Sequence, residues 1–459
     1  MRSHKVIIVL IILLLSTFIR FWKMEYLPLQ NDADELADTY AGLSLIEKGL
    51  PISWTVFWKE YQNSYGTHIP KGDDLRINSP RVTDFFYGPW FDHTPLLPLF
   101  IGTYTHLLGF HFQDAVPSLY LHLPMICLSL VTLSTIFYLS YLVFGYRGGL
   151  VSLLLAGYSP SLAISERMVV SENIVILLLL LTSIFIIKSS SIWIPSVLLG
   201  LAGLSKITAL SGILAASLYL WITHRRKSMV LLIVISLSLF FITIITYAFH
   251  YDIHQFIKIT LVQGSRPIGW LTLTKILTEP GFTTWQINMP DTFYYLIAGL
   301  GLAGFIKSLS FQSSSMFLIR SQVIGAILTL WFTSSQNAVY GWYKIPLFCL
   351  LCVMAGAWAK GKYFQMALWC LIVSALTNIG LLIPASSFLS VWVRLAVIAI
   401  AIMWFLIETS RMNEKVLFSL TVLVSFASAL FVVNGYFDQI CNPTTCTYPL
   451  VTLRQFLNL

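Results

Sequence analysis

The feature that most constrains this chain is a series of long apolar runs, such as 6–22, 174–187 and 229–249. Each run is about as long as a helix that crosses the hydrocarbon core of a bilayer. Because lipid offers the backbone no hydrogen-bond partner, such runs must be helical. Only 10% of the residues are charged, whereas soluble domains carry about 25%. The sequence therefore predicts an all-α polytopic membrane protein, in which the first run is a retained helix rather than a cleaved signal peptide.

Basic residues set the predicted orientation. Arg2, His4 and Lys5 precede the first run, which places the N-terminus in the cytoplasm by the positive-inside rule. Placing the later basic clusters on the same side gives about thirteen spans and an outer C-terminus. These spans lie near 6–22, 118–143, 148–164, 172–187, 191–204, 207–223, 228–249, 291–307, 320–335, 344–359, 364–383, 388–408 and 416–434. The net charge of +8 follows from this arrangement, so nucleic acid is not expected as a partner.

Two long loops on the predicted outer side divide the chain. The loop 23–94 holds 11 of the 20 acidic residues, and apolar segment 95–110 after it is expected to lie at the membrane interface. A first module is therefore expected over 1–250, followed by the second loop at 251–290. The regions 291–436 and 437–459 are expected to be a second transmembrane half and a short outer tail.

The sequence Asn31-Asp32-Ala33-Asp34-Glu35 concentrates three carboxylates just beyond the first predicted helix. Their mutual repulsion costs stability unless a cation, a metal or a substrate hydroxyl uses them. Two interpretations stay open, because Asp32 can also cap the following helix while Asp34 or Glu35 complements its positive end.

Cations on the predicted outer side are candidate contacts for a phosphate. Lys206 follows a sequence of small residues between two apolar half-runs. A charged ammonium near lipid is costly and therefore indicates a functional site. The alternative is a lysine whose side chain extends along the apolar surface to place its ammonium in water. Arg167 has a guanidinium suited to phosphate, although pairing with Glu166 or Glu172 would explain it equally. Arg266 in the second loop is a third candidate. The further substrate-site candidates are His93, Tyr340 and Tyr343, for which a surface histidine and an aromatic belt are the alternatives.

The cysteines divide into two groups. Cys349 and Cys352 have the spacing of a redox or metal motif, but they lie in an apolar run and are expected to act as small hydrophobic side chains. Cys441 and Cys446 lie in the hydrophilic tail. A disulfide between them is expected if the tail faces an oxidising compartment.

These motifs, in this order, resemble the GT-C glycosyltransferases that use polyprenyl-phosphate sugars, in particular the protein O-mannosyltransferases and the lipid A aminoarabinose transferases. The resemblance covers roughly 5–360. The matching residues are Asp34-Glu35, His93-Thr94-Pro95-Leu96, Arg167 with Glu172, the sequence Gly200 to Lys206, and Tyr343-Lys344-Ile345-Pro346-Leu347. A single proline in His93-Thr94-Pro95 and the absence of a large C-terminal domain differ from the family pattern.

The resemblance implies the GT-C fold, with a first seven-helix module and a variable second half. It implies Asp34 as the catalytic base and Lys206 with Arg167 as contacts of the donor phosphate. The expected partners are a polyprenyl-phosphate sugar, membrane lipid, and a lipid, glycan or protein acceptor. No cofactor is expected, although Asp32 with Asp34 offers a divalent metal site. A flippase of lipid-linked sugars, a ligase using pyrophosphate-linked donors and a scaffold are the alternatives.

Overall fold

The computed structural model describes residues 3–27, 34–67, 85–114, 116–188, 191–265, 274, 291–310, 313–333, 341–359, 362–382 and 413–440. This part of the chain is mostly helical. Eight of its helices are long and apolar enough to cross a membrane, namely His4–Phe21, Ser118–Phe144, Ser171–Lys188, Arg226–Tyr251, Ser314–Thr333, Gly341–Trp358, Tyr363–Leu381 and Glu414–Gly435. The prediction of a multi-pass membrane protein is confirmed.

The α-helices are numbered here in chain order. They are α1 (Ser3–Phe21), α2 (Asp34–Lys48), α3 (Leu96–Leu107), α4 (Ser118–Phe144), α5 (Tyr146–Tyr158), α6 (Pro160–Ser165), α7 (Ser171–Lys188), α8 (Trp193–Ser205), α9 (Leu210–Ile222), α10 (Arg226–Tyr251), α11 (Ile253–Gly264), α12 (Thr292–Ser308), α13 (Ser314–Thr333), α14 (Ile345–Ala355), α15 (Lys362–Leu382) and α16 (Glu414–Ile440). Short 3-10 turns cover Trp58–Glu60, Ile207–Ala209, Gly341–Lys344 and Gly356–Trp358. Every predicted span except 388–408, which lies outside the described residues, overlaps a helix. The total of thirteen spans and the outer C-terminus stay predictions.

The prediction of one uninterrupted helix over 148–164 was wrong. The helix α5 ends at Tyr158, and the chain turns at Ser159 before Pro160 opens α6. Proline fits this first helical position because its missing N–H would have no partner there. The buried Asp291 carboxylate accepts hydrogen bonds from Ser159 Oγ at 2.9 Å and from the Ser161 backbone N–H at 3.2 Å. The break is therefore anchored to the chain just before α12.

The segment 95–110 contains a helix too short to span a bilayer. With 12 residues, α3 is about 18 Å long, whereas the hydrocarbon core is about 30 Å thick. It packs on α2 at a glycine contact, where a Cβ on Gly42 would lie 2.0 Å from the Pro98 carbonyl oxygen and one on Gly102 would lie 2.3 Å from the Gly42 carbonyl carbon. The two backbones thus touch directly. The interfacial position of α3 stays a prediction.

The described parts of the loop 23–94 are folded, and they correct the expectation of an all-α chain. Strands β1 (Ser64–Thr67) and β2 (Phe85–Tyr87) pair antiparallel, and Ser53 exchanges two backbone hydrogen bonds with Tyr87, at 3.0 and 2.7 Å. Behind them Trp90 is buried, and its indole donates to the Trp54 carbonyl oxygen at 2.9 Å. Aromatic residues fit the half-buried surface of a short sheet. The pattern of apolar runs used to predict the spans does not reveal this preference of aromatic residues for strands.

The core of the bundle is centred on α14. Cys349 and Cys352 are free thiols and fully buried in this helix. The prediction that they act as small hydrophobic side chains is confirmed. Cys441 and Cys446 lie outside the described residues, so their disulfide stays a prediction.

Candidate active site

The first turn of α2 carries the predicted acids. The helix begins at Asp34, and Asp34 and Glu35 place negative charge at its positive end. Asp38 lies one turn further along, on the same side of the helix as Asp34 because it is four positions away. Its side chain is fully buried, and both of its carboxylate oxygens lie 3.0 Å from Nδ1 of His93.

Asp38 and His93 form a charged pair. Burial alone would lower the pKa of His93, but the charge of Asp38, the hydrogen bond to it and the charge of Asp34 raise that pKa to about 10. Burial raises the pKa of Asp38, against the opposing charge of His93. We therefore assign an imidazolium and a carboxylate to the pair at neutral pH. The His93 side chain is 31% exposed, so the imidazolium remains open to a ligand.

Asp92, next to His93, connects three parts of the chain. Its carboxylate accepts hydrogen bonds from the Thr55 hydroxyl and, at 2.8 Å, from the Tyr61 hydroxyl. Its carbonyl oxygen accepts from the Gln263 side chain of α11 at 2.7 Å. Burial raises the pKa of Asp92 to about 6, although both hydroxyl hydrogen bonds lower it. The contacts of Asp92 therefore fix the position of His93 relative to the loop and to α11.

Lys206 lies at the interruption between α8 and the following 3-10 turn. Its backbone is extended, with φ −161° and ψ 131°, so the helix stops there. The ammonium donates to the Glu172 carboxylate of α7 and sits 3.7 Å from the centre of the Tyr343 ring. An ion pair and a cation–π contact thus hold the lysine head group. The Lys206 side chain keeps 21% of its surface exposed.

These three side chains line a cleft between helices. Its walls come from α7, α9, α13 and α14, and its apolar lining includes Leu179, Leu330 and Leu347. The space inside the cleft is about 40 Å³. An apolar cleft with a few convergent polar groups has the general form of a ligand site.

The acids and the cleft share one electrostatic environment. The Lys206 ammonium lowers the pKa of both Asp38 and His93, whereas the Asp34 carboxylate raises both. The structure therefore places Glu172 and Tyr343 in contact with Lys206, and it places Asp34, His93 and Lys206 within electrostatic range of one another. All five residues are candidates that the sequence singled out.

Glu35 and Arg167 are occupied elsewhere. Glu35 is 2% exposed, and one of its oxygens accepts from the Val169 N–H at 2.9 Å and lies 3.5 Å from Nε2 of His122. Arg167 has no exposed surface, and its guanidinium donates to the carbonyl oxygens of Leu27 at 3.1 Å and Ile19 at 2.6 Å. These contacts join α1 and α2 to the turn before α7. The contacts favour structural roles for Glu35 and Arg167 over the predicted roles in catalysis and phosphate binding.

Two residues of the site, Asp38 and Asp92, were not among the predicted candidates. A signal existed for each, since Asp38 follows Asp34 at helical spacing and Asp92 directly precedes His93. The remaining candidates, Asp32, Arg266 and Tyr340, lie outside the described residues, and their roles stay predictions.

Comparison with known proteins gives a result at the level of structure. No protein-family model matches the sequence, and no curated protein matches it. ArnT from Cupriavidus metallidurans in the apo state aligns with a TM-score of 0.60 at 13% identity, over 95% of this chain and 78% of ArnT. The form of that enzyme bound to undecaprenyl phosphate aligns with a TM-score of 0.57 at 13% identity, over 93% of this chain and 77% of ArnT. The Archaeoglobus fulgidus oligosaccharyltransferase in the apo form aligns at 0.53 and 13% identity, over 94% of this chain and 56% of its own length.

The chain has the GT-C fold. The similarity extends over nearly all of it, so the fold implied by the sequence motifs is confirmed. At this identity the alignment establishes architecture and leaves the reaction to be argued from the site.

Proposed function

We propose that this GT-C protein transfers a sugar from a polyprenyl-phosphate donor to a hydroxyl of an acceptor on the outer face of the membrane. The observation that carries the proposal is the position of the Lys206 ammonium. It lies in the wall of an apolar cleft and within electrostatic range of Asp34 and His93. A lipid phosphate requires a cation beside an apolar wall, and a hydroxyl acceptor requires a nearby carboxylate.

When the donor binds, its phosphate contacts Lys206 and His93. The ammonium leaves its contact with Glu172, or shares it, and the His93 imidazolium supplies the second positive charge in place of Arg167. The first isoprene units lie along the apolar lining of the cleft, on its open side. Two cations neutralise most of the charge of a monophosphate, so the proposal requires no metal ion or other cofactor.

The chemical step is an inverting transfer. The acceptor oxygen attacks the anomeric carbon, and Asp34 takes the proton from that hydroxyl as the new C–O bond forms. The bond between the anomeric carbon and the phosphate oxygen breaks at the same time, and its electron pair leaves with the polyprenyl phosphate. Lys206 and His93 stabilise the negative charge that develops on this phosphate. Asp38 acts through His93, which it orients and keeps protonated.

Transfer can be tested in nanodiscs with a panel of radiolabelled polyprenyl-phosphate sugars and a membrane extract as the acceptor source. We expect label from one donor to move to a lipid, glycan or protein of the extract, which also identifies the sugar and the acceptor. A matched pair of variants defines the site. Lys206→Ala should lose transfer, whereas Lys258→Ala, which removes an exposed lysine paired with Glu60, should retain it.

A flippase of lipid-linked sugars is the second candidate, because a cleft between helices with a cation in its wall also suits lipid movement. Proteoliposomes distinguish the two functions. Movement of intact lipid-linked sugar between leaflets, with no transfer from any donor of the panel, would replace the transferase by the flippase.

A further inference from the structure

Three potential metal ligands meet at the far end of α2. Glu47 is in the last turn of this helix, His106 is in the last turn of α3, and His111 is in the loop that follows. One carboxylate oxygen of Glu47 lies 2.9 Å from Nδ1 of His111 and 3.5 Å from Nδ1 of His106. The ligand atoms of all three side chains lie within 4.8 Å of one another.

Ion pairing alone leaves part of this cluster unexplained. Nδ1 of His106 is enclosed and has no hydrogen-bond partner within the described part of the chain, although it points at the same oxygen as Nδ1 of His111. A cation between the three side chains would use one lone pair from each. Tetrahedral zinc, with bonds of about 2.0–2.1 Å, holds its ligand atoms about 3.3 Å apart. The observed separations require only small movements of the side chains to reach that value.

Surrounding contacts hold two of the ligands in place. The backbone N–H of Phe112 donates to the other oxygen of Glu47 at 3.0 Å, and Asp114 accepts from the backbone N–H of His111 at 2.7 Å. Partners of this kind orient ligands in metal sites.

We propose that Glu47, His106 and His111 bind a divalent transition-metal ion, with zinc as the preferred one. Two imidazoles and a carboxylate suit zinc, and water completes the coordination. The ion would join the ends of α2 and α3 to the loop before α4. Because Asp34 begins α2 and Glu47 lies at its other end, this site is separate from the proposed transfer site.

The test is zinc titration of the full chain in detergent, purified through a tag without histidine. We expect one equivalent to bind and to raise the temperature of thermal unfolding, and Co²⁺ in its place to give the absorption bands of a tetrahedral site. Glu47→Gln, His106→Ala and His111→Ala should each weaken zinc binding at least tenfold. His111 is 70% exposed, so its substitution is the one least able to disturb folding.

The matched control is His254→Ala, which removes another exposed histidine and should leave zinc affinity unchanged. The proposal is overturned if His111→Ala binds as much zinc as the unchanged chain, because the cluster is then a set of ion pairs only. It is equally overturned if His254→Ala loses as much binding, since zinc then attaches to surface histidines without selection.

Discussion

Removing Lys206 should affect stability and donor binding separately. The Glu172 carboxylate is only 5% exposed, so Lys206→Ala leaves it without its cation. Breaking a fully buried pair costs about 3–5 kcal/mol. Partial exposure of the lysine reduces this to about 1–3 kcal/mol. The loss of the contact with Tyr343 adds about 0.5–1 kcal/mol. We expect a lower temperature of thermal unfolding in nanodiscs.

The same substitution should weaken binding of a polyprenyl phosphate. A hydrogen bond to a charged group contributes about 1.5–3 kcal/mol, which corresponds to a roughly 10- to 150-fold rise in the dissociation constant. The double variant Lys206→Ala/Glu172→Gln tests the assignment, because it removes both charges and recovers most of the stability but not the affinity. Glu172→Gln alone should bind donor at least as tightly as the unchanged chain. Donor affinity restored in the double variant would refute the phosphate contact and leave Lys206 as the partner of Glu172 only.

Three further substitutions probe the loop and its packing. Asp92→Asn should reduce the pH dependence of stability, because burial raises the folded-state pKa of Asp92 to about 6. Its contribution of about 1–3 kcal/mol is present near pH 4 and lost as pH rises through 6. The difference between the unfolding temperatures at pH 4 and pH 7 should therefore be smaller in the variant than in the unchanged chain. The unchanged chain should lose donor affinity as pH rises through about 10, where the His93 imidazolium is lost. His93→Gln should weaken donor binding below pH 9 and abolish that decline. A dependence of donor binding on pH that the substitution leaves unaltered would remove His93 from the site. Gly102→Ala should destabilise the chain by about 1–3 kcal/mol through overpacking, whereas Gly299→Ala, where a Cβ meets nothing within 4 Å, should be neutral or stabilising.

The helices were predictable because the membrane imposes length, composition and hydrogen bonding on every span. The break at Pro160 had a local signal in the proline itself, but its anchoring was not predictable, since Asp291 lies 130 positions away from Ser161 in the sequence. The sequence likewise identified Lys206 and Glu172 as candidates but could not show that they meet, because they lie 34 positions apart, Glu172 in α7 and Lys206 just after α8. A long-range contact of this kind leaves no local pattern.

The roles of buried arginines could not be predicted from the sequence for a similar reason. The sequence cannot distinguish a guanidinium that meets a phosphate from one that donates to buried carbonyl oxygens, as Arg167 does. Arg20 is similar, because it lies buried in an apolar helix and its Nε donates to Glu166 at 2.9 Å. In both cases the partner, rather than the residue type, determines the role, and the partner comes from the fold.

The proposed role of Asp34 is tested most directly by single-turnover transfer with Asp34→Asn in nanodiscs, with the donor dissociation constant measured on the same sample. The control is Glu414→Gln, which changes an exposed carboxylate paired with Arg147. We expect Asp34→Asn to abolish turnover while donor affinity stays within a few-fold of the unchanged chain, and we expect the control to transfer normally. Substantial turnover in Asp34→Asn would exclude Asp34 as the base and move the search to Asp32.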